Sequence, residues 1–383
     1  MAEAHTEASI GARVKALVSA KDAPALRRLL TDARPFFATV PKAKTAKIVK
    51  NIIDAIAKVP NTTALQMEVC REQIAWATAE KRTFLRQRIE LRLAVLLLDS
   101  LDYAPAVALI TRLLGEVKRL DDKLMLVDIH LVESRAHHAL RNFPKAKAAL
   151  TAARTAANSI YVPPLIQAHI DMQSGVLNAE EKDYKTSYSY FFEAFEQLAA
   201  LDEDVLALRA LKYMLLSKVM GGGAHEVANI AATKGGVRYG GAREVEALKT
   251  VAAAYKARSL KSFEEAKKSY GDIVSADPVL DQHLKALYGD LLRLNLLRLL
   301  EPYSRVEVAY LAQQLELSVD IVEAKLNELV LDGVLSGVID EAGNFEVFPA
   351  EDASTAYDDA LATLGNLDKV VSALFQRSAK LMA

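Results

Sequence analysis

Four segments of the chain, "DYAPAVALI", "NFPKAKAAL", "DYKTSYSYF" and "SFEEAKKSY", share one pattern: an aromatic residue, a small residue three positions later and a bulky one seven later. The residues are Tyr103/Ala106/Ile110, Phe143/Ala146/Leu150, Tyr184/Ser187/Phe191 and Phe263/Ala266/Tyr270. Their aromatic positions stand 40, 41 and 79 residues apart, the last interval spanning two periods with a weaker copy at His225/Ala228/Ala232. About forty residues hold two helices of about 15 residues and two turns, so each period predicts one helical hairpin of an α-solenoid. In such a hairpin the small residue lets the second helix approach the first, and the aromatic fills the gap at its start. Pro105 and Pro144 fall in the opening turn of that second helix, where a missing N–H costs little. The period is longer than the roughly 34 residues of a tetratricopeptide repeat, so the hairpins are tetratricopeptide-like.

The rest of the composition agrees with an all-helical body. Only 16 glycines and 11 prolines interrupt 383 residues, and apolar residues recur at helical spacing almost everywhere before residue 334. The glycine-rich stretch from Met220 to Arg243 contains neither GxxxxGK[ST] nor a strand-borne GxGxxG, so helix ends and tight turns account for it better than a phosphate cradle. The longest apolar runs, such as "LAVLLL" at 93–98, fall far short of the roughly 18 residues that a membrane helix needs, and the N-terminus carries no signal-peptide pattern. One cysteine, Cys70, rules out an intrachain disulfide and any cysteine-built zinc site, and reads as a small core residue. These features predict a protein of the cytoplasm and nucleus.

Near the C-terminus the pattern changes. Residues 304–348, "SRVEVAYLAQQLELSVDIVEAKLNELVLDGVLSGVIDEAGNFEVF", read as helix, turn, helix and hairpin, the layout of a winged helix. "SRVE" suggests a capping box between Ser304 and Glu307, Ser318 stands where the second helix is capped, and "VLSGVID" with "FEVF" forms the wing. The wing is expected to expose a strand edge around Val347 and Phe348. The second helix is acidic, with Asp320, Glu323, Glu328 and Asp332 against Lys325, so phosphate would repel it. From Tyr357 onward a seven-residue pattern places Leu364 and Val371 on one line, Leu367 and Leu374 on the next, and Phe375 widens the stripe. Either its own domain or helices of other subunits must cover that stripe.

Charge is divided along the chain. Residues 301–383 hold 15 acidic and 5 basic residues, whereas the first hundred hold 17 basic and 10 acidic ones. Lys42, Lys44, Lys47 and Lys50 belong to this basic part and are candidates for contact with an acidic protein surface. No HExxH, GxSxG or histidine–carboxylate metal spacing occurs among the seven histidines and their neighbours, so no catalytic, cofactor or metal residue is assigned.

A helical-hairpin solenoid running into a winged helix and then a terminal helix resembles the PCI domain, named for the proteasome lid, the COP9 signalosome and translation initiation factor three. The strings "EKRTFLRQ" (80–87), "DDKLMLVDIHLVESRAHHAL" (121–140), "DMQSGVLNAEEKDYKTSYSYFFEAFE" (171–196), "LKYMLLSKVM" (211–220) and "EPYSRVEV" (301–308) are similar to the family of non-ATPase subunit six of the 26S proteasome lid. Against that family the chain starts about one helical hairpin late. The resemblance implies a mainly α fold, a right-handed solenoid over residues 1–225, the helical part of a PCI domain over 226–301, its winged helix over 302–350 and an assembly helix over 353–383. It also implies a non-enzymatic scaffold without cofactor, in which the PCI part and terminal helix join other lid subunits. The N-terminal solenoid would brace the core particle α ring and the ATPase ring, with no nucleic acid or membrane as partner. A scaffold of the signalosome or of an initiation-factor complex shares this architecture. A winged-helix nucleic-acid-binding regulator is the alternative of another class, against which the acidic second helix counts.

Overall fold

A computed structural model describes residues 7–60, 62–340, 343–348 and 356–382. Among these residues it contains 21 α-helices and one small sheet, and it divides into two compact units, Met1–Leu284 and Lys285–Ala383.

The first unit opens with α1 (Glu7–Ser19), α2 (Ala23–Asp32), α3 (Arg34–Thr39) and α4 (Lys42–Ala57). It continues with α5 (Thr63–Ala79), α6 (Thr83–Asp99), α7 (Tyr103–Leu120), α8 (Lys123–Ala139), α9 (Phe143–Asn158), α10 (Pro164–Glu180), α11 (Tyr184–Ala200) and α12 (Asp204–Met220). Each of the helices α5 to α12 packs on its sequence neighbour, and α8 also touches α6 and α10, so the hairpins stack side by side. Tyr103, Phe143 and Tyr184 are the first residues of α7, α9 and α11. Ala106, Ala146 and Ser187 are completely buried, and Ile110, Leu150 and Phe191 join the core. The close approach is visible at Ser187, whose hydroxyl donates to the Gly175 carbonyl at 2.9 Å, and at Ser134, which donates to the Ala146 carbonyl at 2.9 Å. Cys70 is fully buried, as its isolation in sequence suggests, and burial pushes its thiol up to about 11.

The turns between these helices repeat as regularly as the helices do. Lys81, Leu101, Arg141, Lys182 and Asp202 adopt left-handed φ values of 51° to 67°. Each is followed by a residue whose N–H reaches back into the ending helix: Arg82 to Ala77, Asp102 to Leu97, Asn142 to His137, Asp183 to Asn178 and Glu203 to Leu198, at 2.9–3.2 Å. This is the Schellman closure, which satisfies carbonyls that the helix end would otherwise leave open. Asn142 and Asp183 then cap the next helix, accepting from the N–H groups of Lys145 and Thr186. At the end of α12 a glycine, Gly222 with φ 81°, occupies the left-handed position.

After α12 the regular stacking gives way to shorter pieces: a 3₁₀ turn at Ala224–Glu226, α13 (Val227–Ala231), α14 (Lys234–Tyr239), α15 (Arg243–Lys256), α16 (Leu260–Ser269) and α17 (Gly271–Ala276). The weak repeat copy at His225/Ala228/Ala232 is therefore overturned. Ala228 is exposed, where the small residue of a repeat must be buried, and the three residues fall across a 3₁₀ turn and the short helix α13 with its end. Two glycines here serve packing. A Cβ on Gly236 would lie 2.7 Å from the Ile230 carbonyl oxygen, and one on Gly235 would lie 2.9 Å from the Phe195 ring. Phe263, by contrast, is buried in α16 as its repeat position requires.

Helix α18 (Pro278–Leu300) starts in the first unit and ends in the second. Its start is held by Asp277, which takes the Lys212 ammonium and the Tyr213 hydroxyl, the latter at 2.9 and 3.0 Å. The second unit continues with β1 (Arg305–Glu307), α19 (Val308–Leu315), α20 (Val319–Leu331), β2 (Gly337–Ile339), β3 (Asn344–Val347) and α21 (Ala356–Met382). The sheet order is β1-β3-β2, antiparallel throughout, with Val306 opposite Phe345 and Val338 opposite Glu346. Phe345 is fully buried, and Val308, Leu311, Ala312, Val322, Leu326 and Leu329 are buried with it. Two local expectations are corrected. Ser304 and Glu307 do not form a capping box, because Arg305–Glu307 is a strand and the helix begins only at Val308. The exposed–buried–exposed alternation of three residues is too short a signal to compete with the helix pattern that follows. Ser318 does occupy the N-cap position of α20, but its side chain makes no capping hydrogen bond.

Candidate assembly interface

Three surfaces carry the residues singled out from sequence. The first is the inner face of the stacked hairpins, where α4, α6, α8, α10 and α12 line one open groove. Lys42, Lys44, Lys47 and Lys50 are all exposed on α4, but only Lys47 and Lys50 line the groove. At 100° per residue the four lysines fan over more than half of the helix circumference, so they do not form a single file. Further into the groove stand Arg88 and Arg92 of α6 and Arg135 of α8, with Asp54, Asp99 and Asp128 among them. Arg135 pairs with Asp99 at 3.6 Å. Burial raises the Asp128 carboxyl to about 6, against the opposing pull of Arg88 and Lys50.

The second surface is the three-stranded sheet. The expectation of a free edge at Val347 is corrected: β3 is the central strand. The Val347 N–H donates to the Ser304 carbonyl at 2.9 Å and the Phe348 N–H to Ser336 at 2.7 Å. Edges remain at β1 and β2, each paired on one side only. The error came from Arg305–Glu307, read as helix; once those residues become a strand, β3 gains a second neighbour. Gly337 fits the resulting close pairing, since a Cβ there would meet the Glu346 carbonyl oxygen at 2.5 Å. Phe348 is half-exposed at the end of β3. The acids Asp320, Glu323, Glu328 and Asp332 are exposed on α20 and just beyond it, and Lys325 spends its charge on Glu328 at 2.7 Å. The face that a winged helix would offer to DNA is therefore negative.

The third surface is α21. Over its 27 residues every described side chain is exposed. Leu364, Leu367, Val371, Leu374 and Phe375 are between 55 % and 74 % exposed. Single exposed apolar residues are ordinary, but a continuous stripe along a whole helix marks an interaction face. Of the two coverings open from sequence, the chain's own domain supplies none among the described residues.

These surfaces match known proteins along most of the chain. Residues 2–100 match the model of the 26S proteasome regulatory subunit RPN6 N-terminal domain, residues 268–348 the PCI domain, and residues 355–379 the RPN6 C-terminal helix domain. The Arabidopsis thaliana protein named 26S proteasome non-ATPase regulatory subunit 11 homolog is 55 % identical over 359 residues, covering 94 % of this chain and 85 % of that protein. The chain belongs to the RPN6 family. The Dictyostelium discoideum 26S proteasome non-ATPase regulatory subunit 11 is 46 % identical, over 93 % of this chain and 86 % of its own length. The Saccharomyces cerevisiae subunit RPN6 is 41 % identical, over 93 % and 83 %. The RPN6-family terminal-helix match coincides with α21, the helix left bare by the rest of the described chain.

Proposed function

We propose that the chain is a non-catalytic structural subunit of the 26S proteasome regulatory-particle lid and supports ubiquitin-dependent degradation in the cytoplasm and nucleus. The observation that carries this reading is α21: a long amphipathic helix with its apolar stripe uncovered is built for a bundle with helices of other subunits. The PCI sheet contributes through the edges of β1 and β2, which offer unpaired backbone groups for strand addition. The α4 lysines, of which Lys47 and Lys50 line the inner face, serve a separate contact, bracing the core particle α ring or the ATPase ring. Exposed pairs give only about 0.2–1 kcal/mol each, so several must act together and the contact must loosen with salt.

The test is removal of residues 356–382 from the chain in cells, followed by native-gel analysis of 26S particles. The expected product is folded, soluble and absent from the lid. Normal incorporation would overturn the role of α21. Reversal of Lys42, Lys44, Lys47 and Lys50 to Glu is expected to leave lid assembly intact and to weaken its docking on the core, most at low salt where the charges are least screened. Absence of catalysis is checked by assaying the purified chain for peptidase, deubiquitinase and nucleotidase turnover, none of which is expected.

A further inference from the structure

A second repeat of about forty residues runs along the hairpins, in a register that the core pattern does not explain. Phe84, Leu124, Leu165 and Val205 are spaced by 40, 41 and 40 residues. Each is the second residue of its helix, α6, α8, α10 or α12. They are 63 %, 37 %, 36 % and 75 % exposed. Alternate turns of stacked hairpins lie at the same edge, or rim, which puts the four side chains in one row; Leu124 and Leu165 line the inner groove themselves, and Leu85 and Leu206, next to Phe84 and Val205, line it at the other two rungs. The residue four positions earlier, at or just after the end of the preceding helix, adds Leu120, Tyr161 and Leu201 to the row, all exposed. At the first two hairpins the core contact is made by the next residue, Leu85 or Met125, both buried. The fold does not need the rim residues, and their recurrence at one structural position separates them from scattered surface leucines.

We propose that this rim is the docking site of an acidic amphipathic α-helix from a partner protein, its apolar residues seven positions apart. Helix α8 packs on both α6 and α10, and packed neighbouring helices lie about 8–10 Å apart, which sets the spacing of the first three rungs. Seven residues of an α-helix rise about 10.5 Å, so consecutive heptads match these rungs. An extended peptide would bring unpaired N–H and C=O groups to a surface of helices that have none to offer in return, whereas a helix satisfies its own. The charge of the occupant follows from the next turn inward. Arg88 stands one turn beyond Phe84 and Arg209 one turn beyond Val205, both exposed and both lining the groove. Between them at the same register are Asp128 and His169. Lys47 and Lys50 face the same groove. The acids that line it are Asp54, Asp99, Asp122, Asp128, Glu244, Asp272 and Asp277, of which Asp272 pairs with Arg243 and Asp277 with Lys212. Asp99 is paired with Arg135, and Asp122 caps α8 by accepting from the Met125 N–H. Arginines therefore mark both ends of the row, and an acidic flank on the partner complements them.

The experiment uses the full purified chain and a fluorescent synthetic peptide with four leucines seven residues apart, flanked by glutamates on an alanine background. Companion peptides carry the leucines five apart, replace glutamate by lysine, or hold the heptad sequence extended with prolines. The heptad glutamate peptide is expected to bind, and binding should weaken by roughly tenfold or more in Phe84→Ser/Leu124→Ser/Leu165→Ser/Val205→Ser. Phe84→Ser/Val205→Ser, at the two most exposed rungs, is expected to keep the wild-type melting curve and still weaken binding. Arg88→Glu/Arg209→Glu should turn the preference toward the lysine peptide. No binding, equal binding of the five-spaced or extended peptide, or tighter binding of the lysine peptide by the wild type would each overturn the proposal.

Discussion

Gly175→Ala and Gly115→Ala are the same substitution in the middle of two helices of one stack, and the structure gives them opposite signs. A Cβ on Gly175 of α10 would lie 2.5, 2.7 and 2.8 Å from three carbons of the Phe191 ring. Ordinary carbon–carbon contact is about 3.5–4.0 Å, so the ring must retreat by roughly 1 Å. It has little room, because Phe191 is fully enclosed and packs on Tyr213 with centroids 5.4 Å apart. The Ser187 hydroxyl is hydrogen-bonded to the Gly175 carbonyl and so holds the two helices at that distance. Overpacking of this kind costs about 1–3 kcal/mol. Against it stands the gain of about 1 kcal/mol from replacing a mid-helix glycine by alanine. At Gly115 of α7 a Cβ meets nothing within 4 Å, so only the gain remains. The difference between the two variants isolates the overlap and is expected to be about 1–3 kcal/mol. Chemical and thermal unfolding followed by circular dichroism measures it: Gly115→Ala should raise the melting temperature by about 2 °C and Gly175→Ala should fall well below it. Shortening the ring in Gly175→Ala/Phe191→Leu should recover part of the loss. Equal stabilisation by both alanines would refute the claim that this glycine sets the hairpin spacing.

The hairpins were legible because their signal is redundant: an aromatic, a small and a bulky residue recur at fixed offsets, and each position is tied to one packing demand. The turns were not, although they are just as periodic. Their left-handed residues are Lys81, Leu101, Arg141, Lys182 and Asp202, none of them the glycine by which such a position is usually recognised. The usable signal was positional, a polar cap such as Asp102, Asn142 or Asp183 directly before the repeat aromatic. At the winged helix a single short strand decided the topology. Val306 alone is buried between Arg305 and Glu307, and three residues carry too little alternation to be seen, yet they convert β3 from an edge into the centre of the sheet. The α4 lysines were found as a charge cluster, but which of them face the groove depends on the rotation of the helix, fixed by Ile48, Val49, Ile52 and Ile56 in the core. The α21 stripe is legible as an apolar face, since a heptad pattern of this length needs only its own residues to be recognised, but the sequence leaves open whether its own domain or another subunit covers it.

Further substitutions test the turns and the buried charges. Leu101→Gly relieves a left-handed, solvent-exposed leucine at φ 67° and is expected to stabilise the first unit by about 1 kcal/mol, read as a shift in the denaturant midpoint. Tyr213→Phe removes the hydroxyl that donates to Asp277 and is expected to cost about 1–2 kcal/mol in the same assay. Asp277→Asn tests the sign of the linkage at that cluster. Burial alone would raise the Asp277 carboxyl, but Lys212 and Tyr213 hold it below the usual range. Its charge therefore stabilises the fold above the ordinary carboxylate pKa of about 3.9, and that stability is lost as pH falls through the lower folded value. The asparagine variant should be less stable at neutral pH and show a flatter acid limb. Asp128 predicts the reverse. Burial raises it to about 6 even with Arg88 and Lys50 nearby, so the folded state holds a proton that the unfolded state has released between about pH 4 and pH 6. Stability contributed by this site is full below the unfolded pKa and disappears as pH rises through the folded one. Asp128→Asn, which cannot ionise, should therefore melt higher than wild type at pH 7.5 and together with it at pH 4. A gap of the same size at both pH values would mean that packing or hydrogen bonding, and not the buried charge, separates the two proteins.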